Sequence, residues 1–279
     1  MSKSVQRRKN TKQHNYIIRG GFEGRERLRV LSRVMQPTTL ALFQRAGVRP
    51  GMECLDVGCG GGDIAFDLAR IVSPGGRIVG LDIDEVKLQL ARRESRARHF
   101  SNIEFRMSDV AVDEVKEQFD FVYARFVLTH LRDPAKALAR MYAATRSGGV
   151  LAVEDIDFRG SFCHPKCVPF HRYLELYTQT VQRRGGDPNI GPRLPELLKE
   201  AGLQGIQMSV VQPAGTHGEV KLITPITMEN IADAVLAESL ASRREIDSIV
   251  TGLYSFAQDS STVLSVPRVV QAWGYRPRP

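Results

Sequence analysis

Residues 54–69, CLDVGCGGGDIAFDLA, constrain the fold more than any other part of the chain. Met52 to Val57 is a short apolar run that reads as a buried strand. Gly58, Gly60, Gly61 and Gly62 then strip side chains from a turn, and from Asp63 the spacing of Ile64, Phe66, Leu68, Ala69 and Val72 suits a helix with one buried face. A strand, a glycine turn and a helix N-terminus together make a docking place for a nucleotide-like ligand. The backbone can approach closely there, and free N–H groups point at the ligand.

The remaining chain supplies the setting. After the Pro74-Gly75-Gly76 turn, Arg77 to Asp82 reads as a second strand, Asp84 to His99 as a helix and Asn102 to Met107 as a third strand. Phe119 to Ala124 is a fourth, apolar strand; a helix follows Asp133-Pro134 and stops at Ser147-Gly148-Gly149, and Val150 to Ile156 is a fifth. Strand and helix alternate, which predicts an α/β fold with a parallel sheet and helices on both faces. Upstream, Glu23 to Met35 and Pro37 to Ala46 read as two helices, the second opened by its proline. Downstream, Met228 to Leu240 and Arg243 to Phe256 read as two amphipathic helices, the first capped by Thr227.

Charge is unevenly placed. Residues 1–33 hold ten Lys/Arg and two acids, a net +8, and the rest of the chain holds 29 of each sign. The body is therefore neutral, and residues 1–14 read as a basic disordered tail preceding one domain over residues 15–279. A basic tail can touch nucleic acid or an anionic surface, but a solvated segment is the expectation on composition. Cys54, Cys59, Cys163 and Cys167 show no secreted-domain pattern, and no apolar stretch approaches membrane-span length. A soluble, cytoplasmic protein is the expectation.

In open parallel sheets ligands bind beyond the carboxyl ends of the strands, and three such ends here carry an acid: Asp56, Asp82 and Asp109. Asp82 can accept from both ribose hydroxyls, Asp109 from the exocyclic amine of adenine, and Asp56 can fix the loop or face an ammonium group. A dinucleotide-binding turn calls for a third glycine where Asp63 stands. Asp56-x-Gly58-x-Gly60-x-Gly62 places an acid before the loop instead. This pattern favours S-adenosylmethionine, whose amino-acid tail a carboxylate and loop N–H groups can hold.

With these residues the chain resembles the class I S-adenosylmethionine-dependent methyltransferases, over roughly residues 50–160. Asp56-Val-Gly-Cys-Gly-Gly-Gly62 and Val79-Gly-Leu-Asp-Ile-Asp84 are similar to the family's first two motifs, and Ser108-Asp109-Val110 to its adenine-contacting motif. Phe119 to Leu131 and Arg146 to Val150 complete the series. The resemblance implies a seven-stranded, doubly wound, mostly parallel sheet whose last strand is reversed, with Gln204 to Val211 sixth and Arg268 to Trp273 seventh. It implies a cofactor site from Asp56, Gly58, Cys59, Gly60, Gly62, Asp82, Ile83, Ser108, Asp109 and Val110. Arg125 and Phe126 match positions flanking the transferable methyl group. It also implies a lid from residues 15–47 and 213–265, in which Tyr16 would close over the cofactor. Tyr16, Gly20-Gly21 and the Gly186 to Leu194 stretch resemble small-molecule enzymes related to quinone-biosynthesis methyltransferases. The Asn-Pro-Pro-aromatic stretch of nucleic-acid base methyltransferases is replaced by Tyr123-Ala-Arg-Phe126, which argues against a base as substrate.

The expected activity is methyl transfer to O, N or C of a small-molecule acceptor by direct displacement. Where the acceptor needs a base, His130, Glu154, Asp155, His164 and His171 are candidates, with His130 nearest the reaction centre by family analogy. Cys163, Cys167 and His171 are metal-capable, but zinc sites draw on two separated pairs and no second pair exists, so no metal is expected. Two other classes stay open: an RNA or protein methyltransferase docking through the basic N-terminus, and a non-catalytic S-adenosylmethionine-binding protein. A homodimer is also open.

Overall fold

The computed structural model describes residue 18 and residues 20–279. Tyr16 and the basic tail lie outside the described residues. The strands are β1 (Glu53–Val57), β2 (Arg77–Asp82), β3 (Ile103–Met107), β4 (Phe119–Arg125), β5 (Thr145–Asp157), β6 (Cys163–His164), β7 (Gln204–Val211), β8 (Ala214–Gly215), β9 (Val263–Ser265) and β10 (Arg268–Tyr275). The helices are α1 (Gly21–Arg45), α2 (Asp63–Val72), α3 (Glu85–Ala97), α4 (Pro134–Ala143), α5 (Val168–Arg183), α6 (Leu194–Glu200), α7 (Glu219–Ala237) and α8 (Arg243–Gln258).

Seven strands form one sheet in the order β3-β2-β1-β4-β5-β10-β7. The first five run parallel, and β10 is antiparallel to both β5 and β7. The expected reversed strand is therefore present, two residues longer than its sequence reading. Order reverses between β1 and β4, so the crevice beyond their carboxyl ends is the place for a ligand. Period-two alternation divides the strands between two apolar layers. Cys54, Ile78, Phe121 and Tyr123 pack under α1, α2 and α3, while Leu55, Val79, Val122 and Leu151 face α4 and α6. A third layer of α5, α7 and α8 residues packs over the end of β5 and encloses Leu31 and Met35 of α1. This is the lid.

Three local expectations give way. The two upstream helices are one helix, α1, with Pro37 inside it. A helix-interior proline costs about 3 kcal/mol. Here Thr38 Oγ1 donates to Met35 O beside it, and burial of Met35, Leu42 and Phe43 holds both halves on one axis. Likewise α7 begins nine residues before the expected Met228 and runs through Pro225. Thr227 is no cap: it is buried mid-helix, where its Oγ1 donates to Ile223 O. Finally, Ser147-Gly148-Gly149 lies within β5, where the register against β4 shifts, and does not end the preceding structure. Asp84 and Asp133 cap α3 and α4: each side chain accepts from backbone N–H groups of its helix's first turn.

The start of α7 is tied down by one buried cation. Lys221, 1% exposed, donates through Nζ to the carbonyls of Thr216, Asp259 and Thr262 and to Thr262 Oγ1. Replacing Lys221 with Met keeps the apolar stem and orphans these acceptors. Each unsatisfied buried group costs about 1–3 kcal/mol, so Lys221→Met should lower unfolding free energy by roughly 2–3 kcal/mol in urea titrations. A change under about 0.5 kcal/mol would show that solvent replaces the ammonium without loss.

Candidate functional site

The crevice at the switch point is closed over by α1 into a cavity of about 890 Å³. Its floor is the turn after β1. Gly58, Gly60 and Gly62 all have positive φ, a region that L side chains avoid. A Cβ on Gly60 would lie 2.8 Å from Leu28 of α1, and one on Gly61 would collide with the Arg25 side chain. The turn is therefore bare on the ligand side and roofed by α1. Arg25, 2% exposed, holds that roof: Nη1 bonds Asp63 at 2.7 Å and Nη2 bonds Glu94 at 2.9 Å. Glu94 also takes Arg29, and Gln36 donates to Asp67 of α2.

Each anticipated residue can now be placed. Asp56, Gly58, Cys59, Gly60, Asp82, Ile83, Ser108, Asp109, Val110, Arg125, Phe126 and His130 all line the cavity. Gly62 is not on its wall: it sits behind, where a Cβ would lie 2.7 Å from Phe105, and its left-handed backbone starts α2. Asp82 Oδ2 accepts from Gly60 N at 2.8 Å and its Oδ1 from Asp84 N at 2.8 Å, so the carboxylate pins the turn to β2. Each oxygen keeps a lone pair for a further donor. Asp109 holds its own loop, accepting from Ala111 N.

Two buried carboxyls stand apart. Asp56, 2% exposed, has an Oδ2 without a hydrogen-bond partner among the described residues. Burial lifts its pKa to about 7, with Asp82 and Asp63 adding to the rise and Arg125 opposing it. Glu154, fully buried, accepts from Tyr123 OH at 2.9 Å and Thr39 Oγ1 at 3.2 Å, and burial raises it as well. Arg125 lies by both acids, with Nη1 donating to Thr39 and Nη2 to Ser32 of α1. Glu154 is thus a structural partner rather than an open base. Asp155 is similar: it accepts from the N–H groups of Thr129 and Ile156 and fixes the loop after β4. Phe126 on that loop has φ +57. His130 is 7% exposed, and burial, with Arg27 and Lys87 nearby, lowers its pKa to about 3. It is neutral at physiological pH. His164 and His171 do not line the cavity, and among the described residues no three His, Cys, Asp or Glu form a metal-binding group.

Sequence reading missed the far wall. Leu31, Met35, Ile156, Phe158, Tyr177 and Ile223 make it apolar and aromatic, with Arg27, Tyr173 and Thr227 set into it. Phe158 and Tyr177 stack at 4.1 Å. The available signals were Tyr173 and Tyr177, aromatics at helical spacing that read as helix core ahead of a substrate cage, and Arg27, a charge four residues before Leu31 and eight before Met35 on α1.

Comparison with known proteins agrees with this geometry. The model of a methyltransferase domain matches residues 49–183. An uncharacterized 37.1 kDa protein in transposon TN4556 of Streptomyces fradiae is 30% identical over 210 residues, 73% of this chain and 59% of that protein. Demethylmenaquinone methyltransferase of Lactococcus lactis is 30% identical over 160 residues, 57% of this chain and 59% of the enzyme. The chain thus spans less than two thirds of the length of these curated relatives. Among solved structures, phosphoethanolamine N-methyltransferase 2 of Haemonchus contortus, in complex with phosphomonomethylethanolamine and S-adenosylhomocysteine, superposes with a TM-score of 0.57 at 17% identity. That match covers 90% of this chain and 57% of the other. It shows the fold.

The lifted pKa of Asp56 makes a testable statement about stability. Between its ordinary value near 4 and about 7, the folded state holds a proton that the unfolded state releases, so this carboxyl costs stability as pH rises. Asp56→Asn removes the cost. Its stabilising effect should grow by about 2 kcal/mol between pH 5 and pH 8 in denaturant titrations. An effect that is flat with pH would mean that Asp56 is ionised throughout.

Proposed function

We propose that the chain, whose residues 49–183 match the model of a methyltransferase domain, transfers the methyl group of S-adenosylmethionine to a small-molecule acceptor. One observation carries this reading. A bare glycine turn, the buried and incompletely paired Asp56, and Asp82 converge in the same cavity as an apolar and aromatic wall.

The residues fit the cofactor on their own chemistry. Asp56 Oδ2 is a buried acceptor that an ammonium would satisfy. Asp82 has lone pairs for two ribose hydroxyls, and the Ser108 to Val110 loop borders the region an adenine would fill. Ligand cavities run to roughly 300–1,000 Å³, so about 890 Å³ leaves room for an acceptor beside the cofactor.

When bound, the cofactor supplies a methyl group already activated by its sulfonium: the acceptor's lone pair forms the new bond as the carbon–sulfur pair returns to sulfur. The chain's part is alignment and exclusion of water. Arg125 and Phe126 border the region between cradle and chamber, and α1, α5 and α7 seal it. An acceptor O–H, N–H or C–H must also lose a proton. His130 is the candidate to take it by position, because it lines the cavity on the loop after β4, although burial and the Arg27 and Lys87 charges that hold its pKa at about 3 make it a weak base. The closed roof favours a small acceptor over a polymer docking through the N-terminus.

Incubation with methyl-labelled S-adenosylmethionine and panels of phenols, quinones and amines tests the activity directly. Asp82→Ala should weaken S-adenosylmethionine at least about tenfold in calorimetric titration, through loss of charge-assisted hydrogen bonds. Unchanged affinity would remove Asp82 from the site. Against an identified acceptor, His130→Ala should lower kcat by about 100-fold with cofactor affinity intact, the usual worth of a general base. An unaltered kcat would leave proton removal to water.

A further inference from the structure

Arg27 is 7% exposed and lines the chamber wall. Its Nε donates to Thr227 Oγ1 at 3.1 Å, while Thr227 Oγ1 in turn donates to Ile223 O. Among the described residues no carboxylate pairs with Arg27, and its two Nη groups meet no acceptor. The contrast with Arg25, two positions away on the same helix, is informative: Arg25 is equally buried and takes two carboxylates. A guanidinium cannot shed its charge, so burying one without a counter-ion is costly unless a ligand supplies it. The charge is felt across the cavity, since Arg27 is one cause of the depressed His130 pKa.

Resting on the methyltransferase reading, we propose that Arg27 is the specificity-determining residue for the acceptor, and that the acceptor carries an oxyanion, a carboxylate or phosphate, on an apolar or aromatic body. The fork of Arg27 takes the oxyanion in bidentate fashion. Leu31, Met35, Phe158, Tyr177 and Ile223 enclose the body. Thr227 holds the guanidinium by its Nε, so that its Nη groups are left to the ligand. The alternative source of the oxyanion is the cofactor's own carboxylate. Position argues against it: Arg27 is anchored to Thr227 of α7, whereas Arg125, with Ser32 and Thr39, lies by Asp56 at the glycine turn.

The experiment uses the full chain saturated with S-adenosylhomocysteine and titrated with paired probes: one- and two-ring aryl carboxylates, aryl phosphates, and the corresponding neutral carboxamides. In the wild type, acids should bind at least about 30-fold more tightly than their amides, the scale of a buried charge-assisted pair. Arg27→Gln should abolish that preference while S-adenosylhomocysteine affinity stays within twofold, and Arg27→Lys should restore part of it. Acids and amides binding alike, or no acid binding at all, overturns the proposal. So does loss of S-adenosylhomocysteine affinity in Arg27→Gln with 5′-methylthioadenosine affinity unchanged, because Arg27 then reads the cofactor's carboxylate. Failure of wild-type protein to bind S-adenosylhomocysteine would instead overturn the methyltransferase reading. A circular dichroism melt on each variant separates lost binding from lost fold.

Discussion

The ion pairs that Arg25 makes with Asp63 and Glu94 hold the site together. Without them α1 would be one more amphipathic helix beside the sheet, and the glycine turn would open to solvent. With them, α1 runs across the turn, and Leu28 and Arg25 press on Gly60 and Gly61 so closely that no side chain fits there. Surface ion pairs contribute little because water competes for both partners. This one is different, because Arg25 is 2% exposed and breaking it would strand buried charge. Everything beneath the helix inherits a low dielectric.

That dielectric explains the behaviour of the acids. Asp56, Glu154 and Asp155 all sit at the ends of β1 and β5, all are buried, and burial raises the pKa of each. Their partners divide their roles. Glu154 is satisfied by Tyr123 and Thr39, and Asp155 by backbone N–H groups, so both are structural. Asp56 keeps one oxygen without a partner among the described residues, which leaves it for a cation that arrives from outside.

The sheet was legible in the sequence because its strands are short apolar runs bounded by glycine turns. Asp56, Asp82 and Asp109, singled out at the strand ends, all line the cavity. What escaped was tertiary. Pro37 and Pro225 read locally as breaks, yet packing across α1 and α7 outweighs the lost hydrogen bonds. Thr227 had the look of a cap and turned out to be a buried bridge to Arg27. Residues of the chamber wall come from α1, β5, α5, α7 and the loop before β10, so no window of sequence displays them together. Arg27 was visible as a charge on an apolar stripe, but only its burial without a counter-ion gives that charge meaning.

The placement of β10 bears on how such a chain can change over time. β7 and β10 are adjacent in the sheet, yet α7, α8 and β9 lie between them in sequence. The segment carrying α7 and α8 is therefore an excursion whose two ends are fixed side by side on the sheet. Lengthening such an excursion is cheap, since doubling a loop costs only about 0.6 kcal/mol of closure entropy. The chamber wall can be rebuilt by mutation or insertion while the sheet register and the glycine cradle stay as they are. Donor recognition and acceptor choice are thereby placed in separately evolvable parts of one domain, and a new acceptor can be acquired without relearning the old donor.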